Sequence, residues 1–354
     1  MPIMLNKNSF YGFVALLFVS FIFVYLEVSS GVFRQNLFSK VKVSSTTNFF
    51  SLDFLTRSLS YEQKQTPQPT KEHKCYHLNW QQSNLTQEVF STCGFIAIQQ
   101  SLGRTGNNMF QVASLFGIAH DLDLIPVIDP NSPLRNQYNL PNVMDIKLEN
   151  VHYCDEESEP RVYIKCELPN GKKIVNMSMS GYRQSWKYFQ KIESVVAEIF
   201  RKDFKGNTLS KAKSFVKTVS NATYTVVGIH IRRTDILIYR SNGSNCADVN
   251  YFNKAMTFIK LFYHKVRFII MSDDLIWGKD NLKSSDTFYS PFKNASDDMA
   301  LMSLCNHMIV TYGTFGWWGA WLANGTTVYL PEKYIEPVKV MSKIDSDYFV
   351  PGSI

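Results

Sequence analysis

The chain has 354 residues, 45% of them apolar and 19% charged, with a formal net charge of +7. That length holds two domains, or one large one with appendages, and the apolar fraction can bury a sizeable core. The positive excess is modest and is not gathered into one basic block, which argues against nucleic acid as a partner and suits an anionic small molecule better.

Residues 1–9 read as a short cytosolic tail carrying Lys7, and residues 10–26 form a hydrophobic run broken only by Tyr11, Gly12, Ser20 and Tyr25. The run predicts a single transmembrane signal anchor, with cleavage after the small residues Ser29-Ser30-Gly31 as the alternative. Residues 27–93 are rich in Ser, Thr, Gln, Lys and Asn, with Gln63-Lys64-Gln65-Thr66-Pro67-Gln68-Pro69-Thr70 at their middle. They read as a polar lumenal stem. N-glycosylation sequons begin at Asn84, Asn176, Asn221, Asn242, Asn294 and Asn324, which fits a lumenal or extracellular chain. The six cysteines, Cys75, Cys93, Cys154, Cys166, Cys246 and Cys305, contain no CxxC pair, so zinc is not indicated. Cys154 with Cys166 would staple a short hairpin, and Cys305 reads as a buried free thiol on a helix.

Order is expected from Gly94. Phe95 to Ile98 reads as a strand, Gly103-Arg104-Thr105-Gly106-Asn107-Asn108 as a glycine turn, Met109 to Leu122 as a helix and Leu124 to Ile128 as a second strand, together a βαβ unit. Glycines there let a backbone approach a ligand, although the spacing is not the GxGxxG of dinucleotide folds. Prolines at 133, 141, 160 and 169 predict loops and short strands up to Asn176. The aromatic stretch from Gly181 to Phe189 suits core packing better than stacking on sugar rings. Ile192 to Arg201 is helical, and a polar link to about Thr223 reads as the boundary between lobes 94–223 and 224–354.

The second lobe alternates strand and helix: Tyr224–Ile231, Tyr251–Lys265, Val266–Ser272, Leu275–Asn281, Ser296–Asn306, Met308–Thr311, Phe315–Ala323 and Thr327–Leu330. Such alternation predicts a parallel sheet covered by helices, with ligands where the strands end. Three loops converge on that edge. The first follows the buried run Val226 to Ile231 and holds His230, the adjacent Arg232 and Arg233, and Asp235. Two guanidiniums at a strand end can grip a diphosphate by bidentate, charge-assisted hydrogen bonds, unless they simply pair with structural carboxylates. The second loop offers Ser272 and Asp273 as acceptors for a base or ribose. In the third, Tyr312 to Trp318, Thr314 offers a hydroxyl, and Phe315 and Gly316 offer amides at a helix amino terminus. Asp297 and Asp298 could also meet a base or ribose, or could cap a helix with Ser296; the two readings stand level.

Three segments occur in the order and spacing of one family: Gly103-Arg104-Thr105-Gly106-Asn107-Asn108-Met109-Phe110-Gln111, then His230-Ile231-Arg232-Arg233-Thr234-Asp235, then Cys305-Asn306-His307 running into Gly313-Thr314-Phe315-Gly316-Trp317-Trp318. From about Gly94 to the carboxyl end the chain resembles the galactoside α1,2-fucosyltransferases, glycosyltransferase family 11. It departs from the pattern at Thr105, where a bulky apolar residue is usual, and at Asn108, where Gln is usual. The resemblance implies an α/β fold of two Rossmann-like lobes of the GT-B kind, in a single-pass type II enzyme of the Golgi membrane with its catalytic part lumenal. It implies transfer of L-fucose from GDP-fucose to the 2-hydroxyl of a terminal β-galactose, with inversion and without metal or other cofactor. Its partners would be GDP-fucose, a β-galactoside glycan and, through the anchor, the membrane.

On this reading Arg232 and Arg233 hold the diphosphate with Thr314, Phe315 and Gly316, while Asn107 stands at the donor–acceptor junction. His230 and Asp235 orient the arginines. Ser272, Asp273 and Asp298 are the candidates for the nucleoside, and no residue is assigned as general base. A metal-dependent sugar transferase would need Asp-x-Asp at a strand end, whereas Asp121-x-Asp123 closes a helix and Asp345-x-Asp347 lies in the tail. A glycan-binding protein that had lost catalysis would have no use for the double arginine or for Thr314-Phe315-Gly316.

Overall fold

The computed structural model describes residues 75–76, 92–141, 150–155, 163–170, 175–239, 247–311 and 313–329, all within one compact unit, Arg57–Ile354. The expected anchor, the sequons at Asn84 and Asn242, Cys246, Tyr312 and the Asp345-x-Asp347 motif lie outside the described residues. Among the described residues, no helix is long and apolar enough to cross a membrane.

The described residues form two parallel sheets. The first contains β1 (Phe95–Ile98), β2 (Ile125–Val127), β3 (His152–Cys154) and β4 (Met177–Met179) in the order β2-β1-β4-β3. Helix α1 (Thr105–Leu122) joins β1 to β2. After β4 come α2 (Glu193–Lys202) and α3 (Thr208–Val219). The second sheet contains β5 (Thr225–Ile231), β6 (Val266–Ser272), β7 (Thr287–Tyr289), β8 (His307–Val310) and β9 (Thr327–Tyr329) in the order β7-β6-β5-β8-β9. Between these strands run α4 (Thr234–Tyr239), α5 (Val249–Phe262), α6 (Leu275–Asn281), α7 (Ala295–Ser303) and α8 (Thr314–Ala323).

In each sheet the chain first steps outward to one side and then crosses to the other. The first therefore reverses between β1 and β4, and the second between β5 and β8. Crevices open at the carboxyl ends of the strands flanking such a reversal, because the loops on either side diverge. Register fixes what reaches them: Gly228 pairs with Met308 and His230 with Val310, so Arg232 emerges beside Thr311.

Several expected bounds shift. The residues expected as a glycine turn before Met109 supply the first turn of α1, which begins at Thr105. The expected polar link contains α3, with Thr208, Ala212 and Val219 buried and Phe215 edge-on to Phe292 at 6.0 Å. Three lysines dilute its apolar spacing, which is why it reads as a linker. One continuous core joins the two sheets. At its centre Phe110 of α1 lies 4.6 Å from Trp317 and 5.1 Å from Trp318 of α8, and Phe189 stacks on Trp318 at 5.5 Å. Tyr188 and Phe189 are thus packing residues, as read from the sequence.

Two residues within the expected stem belong to the fold. Cys75 is disulfide-bonded to Cys93, the Cys75 and Tyr76 amides donate to Asp123 Oδ1 at 2.9 Å, and Tyr76 is buried. Asp123, in the left-handed conformation, closes α1, and Asp121 pairs with Lys191 at 2.9 Å. Both carboxylates of Asp121-x-Asp123 are therefore spent on structure. Cys154 and Cys166 form a disulfide, but Cys154 ends a parallel strand and Cys166 lies in irregular chain, so no hairpin is involved. Cys305 is buried and free, two residues beyond the end of α7 rather than on it.

Candidate functional site

The carboxyl end of β5 delivers Arg232 into the β5/β8 crevice. Its Nε and Nη2 donate to Asp235 Oδ1 and Oδ2 at 2.9 and 2.6 Å, a bidentate pair that fixes the guanidinium plane. These bonds, with Arg104 Nη2 at 2.5 Å from Asp235 Oδ2, hold the Asp235 carboxyl down at about 2. Arg232 Nη1 faces the Gly313 turn so closely that a Cβ on Gly313 would collide with it. Gly313 also has a φ of 90°, which a side chain would make strained.

Gly313 is the N-cap of α8 and provides no capping side chain, and the first amides of a helix have no partner within it. His230 lies beneath this turn, buried, its ring 5.5 Å from Phe315. A Cβ on Gly316 would come within 2.6 Å of His230 Nδ1. Burial lowers the His230 pKa to about 4, so the imidazole is neutral at physiological pH. It shapes the floor of the turn without adding charge.

The amino terminus of α1 meets that of α8. Trp318 Nε1 donates to the Gly106 carbonyl at 3.1 Å, and a Cβ on Gly106 would be 2.6 Å from the Phe315 amide nitrogen. Two helix amino termini, each positive in potential, thus converge beside Arg232. Thr314 Oγ1 donates to Asn107 Oδ1 at 2.8 Å, so the hydroxyl expected to meet an anion is engaged by the other expected site residue. The departures at 105 and 108 are both accommodated. Thr105 Oγ1 accepts from Gln137 Nε2 at 2.9 Å, and buried Asn108 Nδ2 donates to the carbonyls of Leu102, Gly103 and Arg104.

Other expected residues are placed differently. The Arg233 guanidinium sits 4.1 Å over the Trp277 ring, with Nε 3.5 Å from Asp274, rather than beside that of Arg232. Asp273 accepts from the Arg233 amide at 2.8 Å and from the Thr234 amide and hydroxyl at 3.2 and 2.6 Å, and Ser272 Oγ accepts from the Asp274 amide at 2.9 Å. These bonds hold the loop. Asn294, not Ser296, caps α7, accepting from the Asp297 amide at 2.8 Å. Asp298 instead accepts from Ser290 Oγ, beyond the end of β7, at 2.5 Å, and burial raises its pKa to about 6. Arg104, quoted in the sequence only as part of a motif, joins the site through Asp235. Its neighbour glycines mark the loop, but nothing local pairs it with a residue 131 positions away.

Residues 97–351 match the description Glycosyl transferase family 11. The chain is 29% identical over 247 residues to the galactoside 2-alpha-L-fucosyltransferase SEC1 of Bos taurus, spanning 64% of this chain and 64% of that protein. It is also 29% identical over 254 residues to the galactoside alpha-(1,2)-fucosyltransferase 2 of Rattus norvegicus, covering 65% of this chain and 68% of the relative. Among solved structures, fucosyltransferase NodZ from Bradyrhizobium aligns with 13% identity and a TM-score of 0.44, over 65% of this chain and 93% of that one. An Arabidopsis thaliana FUT1 variant in complex with GDP aligns with 11% identity and a TM-score of 0.46, over 81% of each chain. With a profile match across well over half of its length, the chain belongs to glycosyl transferase family 11.

Proposed function

We propose that the protein transfers L-fucose from GDP-fucose to the 2-hydroxyl of a terminal β-galactose, with inversion and without a metal. The observation that carries this is Arg232, locked by Asp235 and facing the uncapped amino terminus of α8 where α1 also ends. As the bond from fucose C1 to the β-phosphate oxygen breaks, GDP gains negative charge. Preorganised cations and amide donors stabilise that charge more in the transition state than in the ground state. The acceptor oxygen bonds to C1 from the opposite face, and its proton passes to solvent.

The diphosphate lies against Arg232 and the amides of Phe315 and Gly316, and Asp298 accepts from the base. Residues 224–354 form the donor lobe and 94–223 the acceptor lobe of a GT-B arrangement, tethered in the Golgi membrane by residues 10–26. Exposed Asn221, whose Oδ1 accepts from the Thr223 hydroxyl at 2.7 Å, is a lumenal glycan site on this reading. Asn176 is a poorer one, because Ser178 of its sequon is fully buried in β4.

The full-length protein in detergent, given GDP-fucose and a panel of β-galactosides with and without chelator, tests this. Fucosylated product at the 2-hydroxyl, undiminished by chelator, is expected. Glycan binding without GDP binding would instead identify a lectin.

A further inference from the structure

Asn107 Oδ1 accepts two hydrogen bonds, from Thr314 Oγ1 at 2.8 Å and from Gln184 Nε2 at 3.1 Å. An amide oxygen has two lone pairs, so both are filled and the Asn107 NH2 group is turned the other way, over Gly103. Gly103 has a φ of 71°, and a Cβ there would collide with Asn107 Nδ2. The direction of this donor is set by what its oxygen finds. Thr314 alone does not decide it, because a hydroxyl can donate or accept. Gln184 follows β4, the strand next to β1 in the sheet.

The turn carrying Gln184 is held with unusual rigour. Gln111, 1% exposed, accepts from the Leu102 amide at 3.0 Å and donates to the carbonyls of Gln100 at 3.0 Å and Gly181 at 2.8 Å, tying this turn to the loop before α1. Ser114 Oγ donates to the Arg183 carbonyl at 3.2 Å. Arg183 itself has a φ of 52°, a conformation disfavoured for a side chain of its size, and its fully buried guanidinium donates to the Ser180 and Cys154 carbonyls and to the Tyr188 hydroxyl. Strained backbone of this kind persists only where the surrounding structure over-determines it, and it clusters at functional sites.

We propose that Gln184 is a positioning residue for transfer: it fixes the Asn107 amide so that Nδ2, and not Oδ1, is offered at the junction of donor and acceptor. This rests on the fucosyl-transfer reading above. Gln184 acts through Asn107 and bonds neither the diphosphate cradle nor the Arg232 network, so its effect belongs in kcat rather than in GDP affinity.

Four forms of the full-length protein separate the roles: wild type, Q184A, Q184M and Q184E, each measured for GDP binding, transfer kinetics and Tm. Q184A and Q184M remove the donor and are expected to lower kcat about tenfold, with GDP Kd within about threefold of wild type. Q184E accepts but does not donate, which draws the Asn107 NH2 toward it and turns Oδ1 outward. It is therefore expected to be worse than Q184A, by about a hundredfold from wild type. A side chain that merely fills space would give the opposite order, because Glu and Met keep the volume that Ala loses. Q184M at wild-type kcat, Q184E better than Q184A, or a fall in kcat matched by equal losses in GDP affinity and Tm would each overturn the proposal alone. A wild type that neither binds GDP nor transfers fucose would overturn the functional reading beneath it, and the proposal with it.

Discussion

The indole N–H of Trp318 and the carbonyl of Gly106 join α8 to α1 at their amino ends, 3.1 Å apart and 212 residues apart in sequence. The approach depends on Gly106 having no side chain, since a Cβ would fall 2.7 Å from the Thr314 carbonyl carbon and 2.6 Å from the Phe315 nitrogen. Backbone atoms at such distances do not yield without moving a helix. G106A is therefore expected to cost about 1–3 kcal/mol in denaturant unfolding and to weaken GDP binding at least tenfold. Wild-type GDP affinity in G106A would show that the junction of the two helices is not part of the donor site.

Arg232 and Arg233 are adjacent in sequence but engaged differently. R232K keeps the charge but loses the two-pronged grip on Asp235, and a fall in kcat/KM of about a hundredfold or more is expected. R233K loses the stack on Trp277 and is expected to cost about 1 kcal/mol of stability, with transfer reduced less than tenfold. Parallel unfolding and transfer assays would show the two effects separating. Equal kinetic losses would mean that both arginines meet the diphosphate.

Burial holds the His230 pKa near 4, below its value of about 6.5 in an unfolded chain. Between those two values the native state binds fewer protons than the unfolded state, so this group's contribution to stability falls as pH drops from about 6.5 to 4. The full change is about 3 kcal/mol. Unfolding measured across that window should show a shallower dependence in H230Q than in wild type. The pH profile of transfer should show no inflection from His230 near 6.5.

Asp298 shifts in the other direction, raised to about 6 by burial. If it accepts from the base, its ionised form is the one that binds, and GDP affinity should decline as pH falls through 6. Titration calorimetry at pH 7.5 and pH 5 is expected to show a larger decline in wild type than in D298N, where only protonation of the terminal phosphate of GDP remains. A decline of equal size in D298N would remove Asp298 from the site.

The Cys154–Cys166 disulfide closes a 12-residue separation at the end of β3, and Cys154 also accepts from Arg183. C166S is expected to lower unfolding free energy by about 3 kcal/mol. Because Arg183 precedes Gln184, kcat should fall as well. Unchanged transfer at a temperature where C166S stays folded would disconnect the bridge from the site.

Much was already determined by the sequence. The unbroken β-branched run of β5, the alternation of strands and helices after it and the glycines at 103, 106, 313 and 316 arise from local sterics and burial, which leave a readable period and a readable choice of residue. These placed β1, β6 and α6 at their observed bounds and set Arg232, Thr314 and the amides of α8 at one crevice. Tertiary structure decided what each polar group does there. It turned Arg233 onto Trp277, bonded Asp273 to loop amides, gave the α7 cap to Asn294 and joined Arg104 to Asp235 and Gln184 to Asn107. Such choices depend on which donors and acceptors meet across tens to hundreds of intervening residues, and the chain carries no local mark of those pairings.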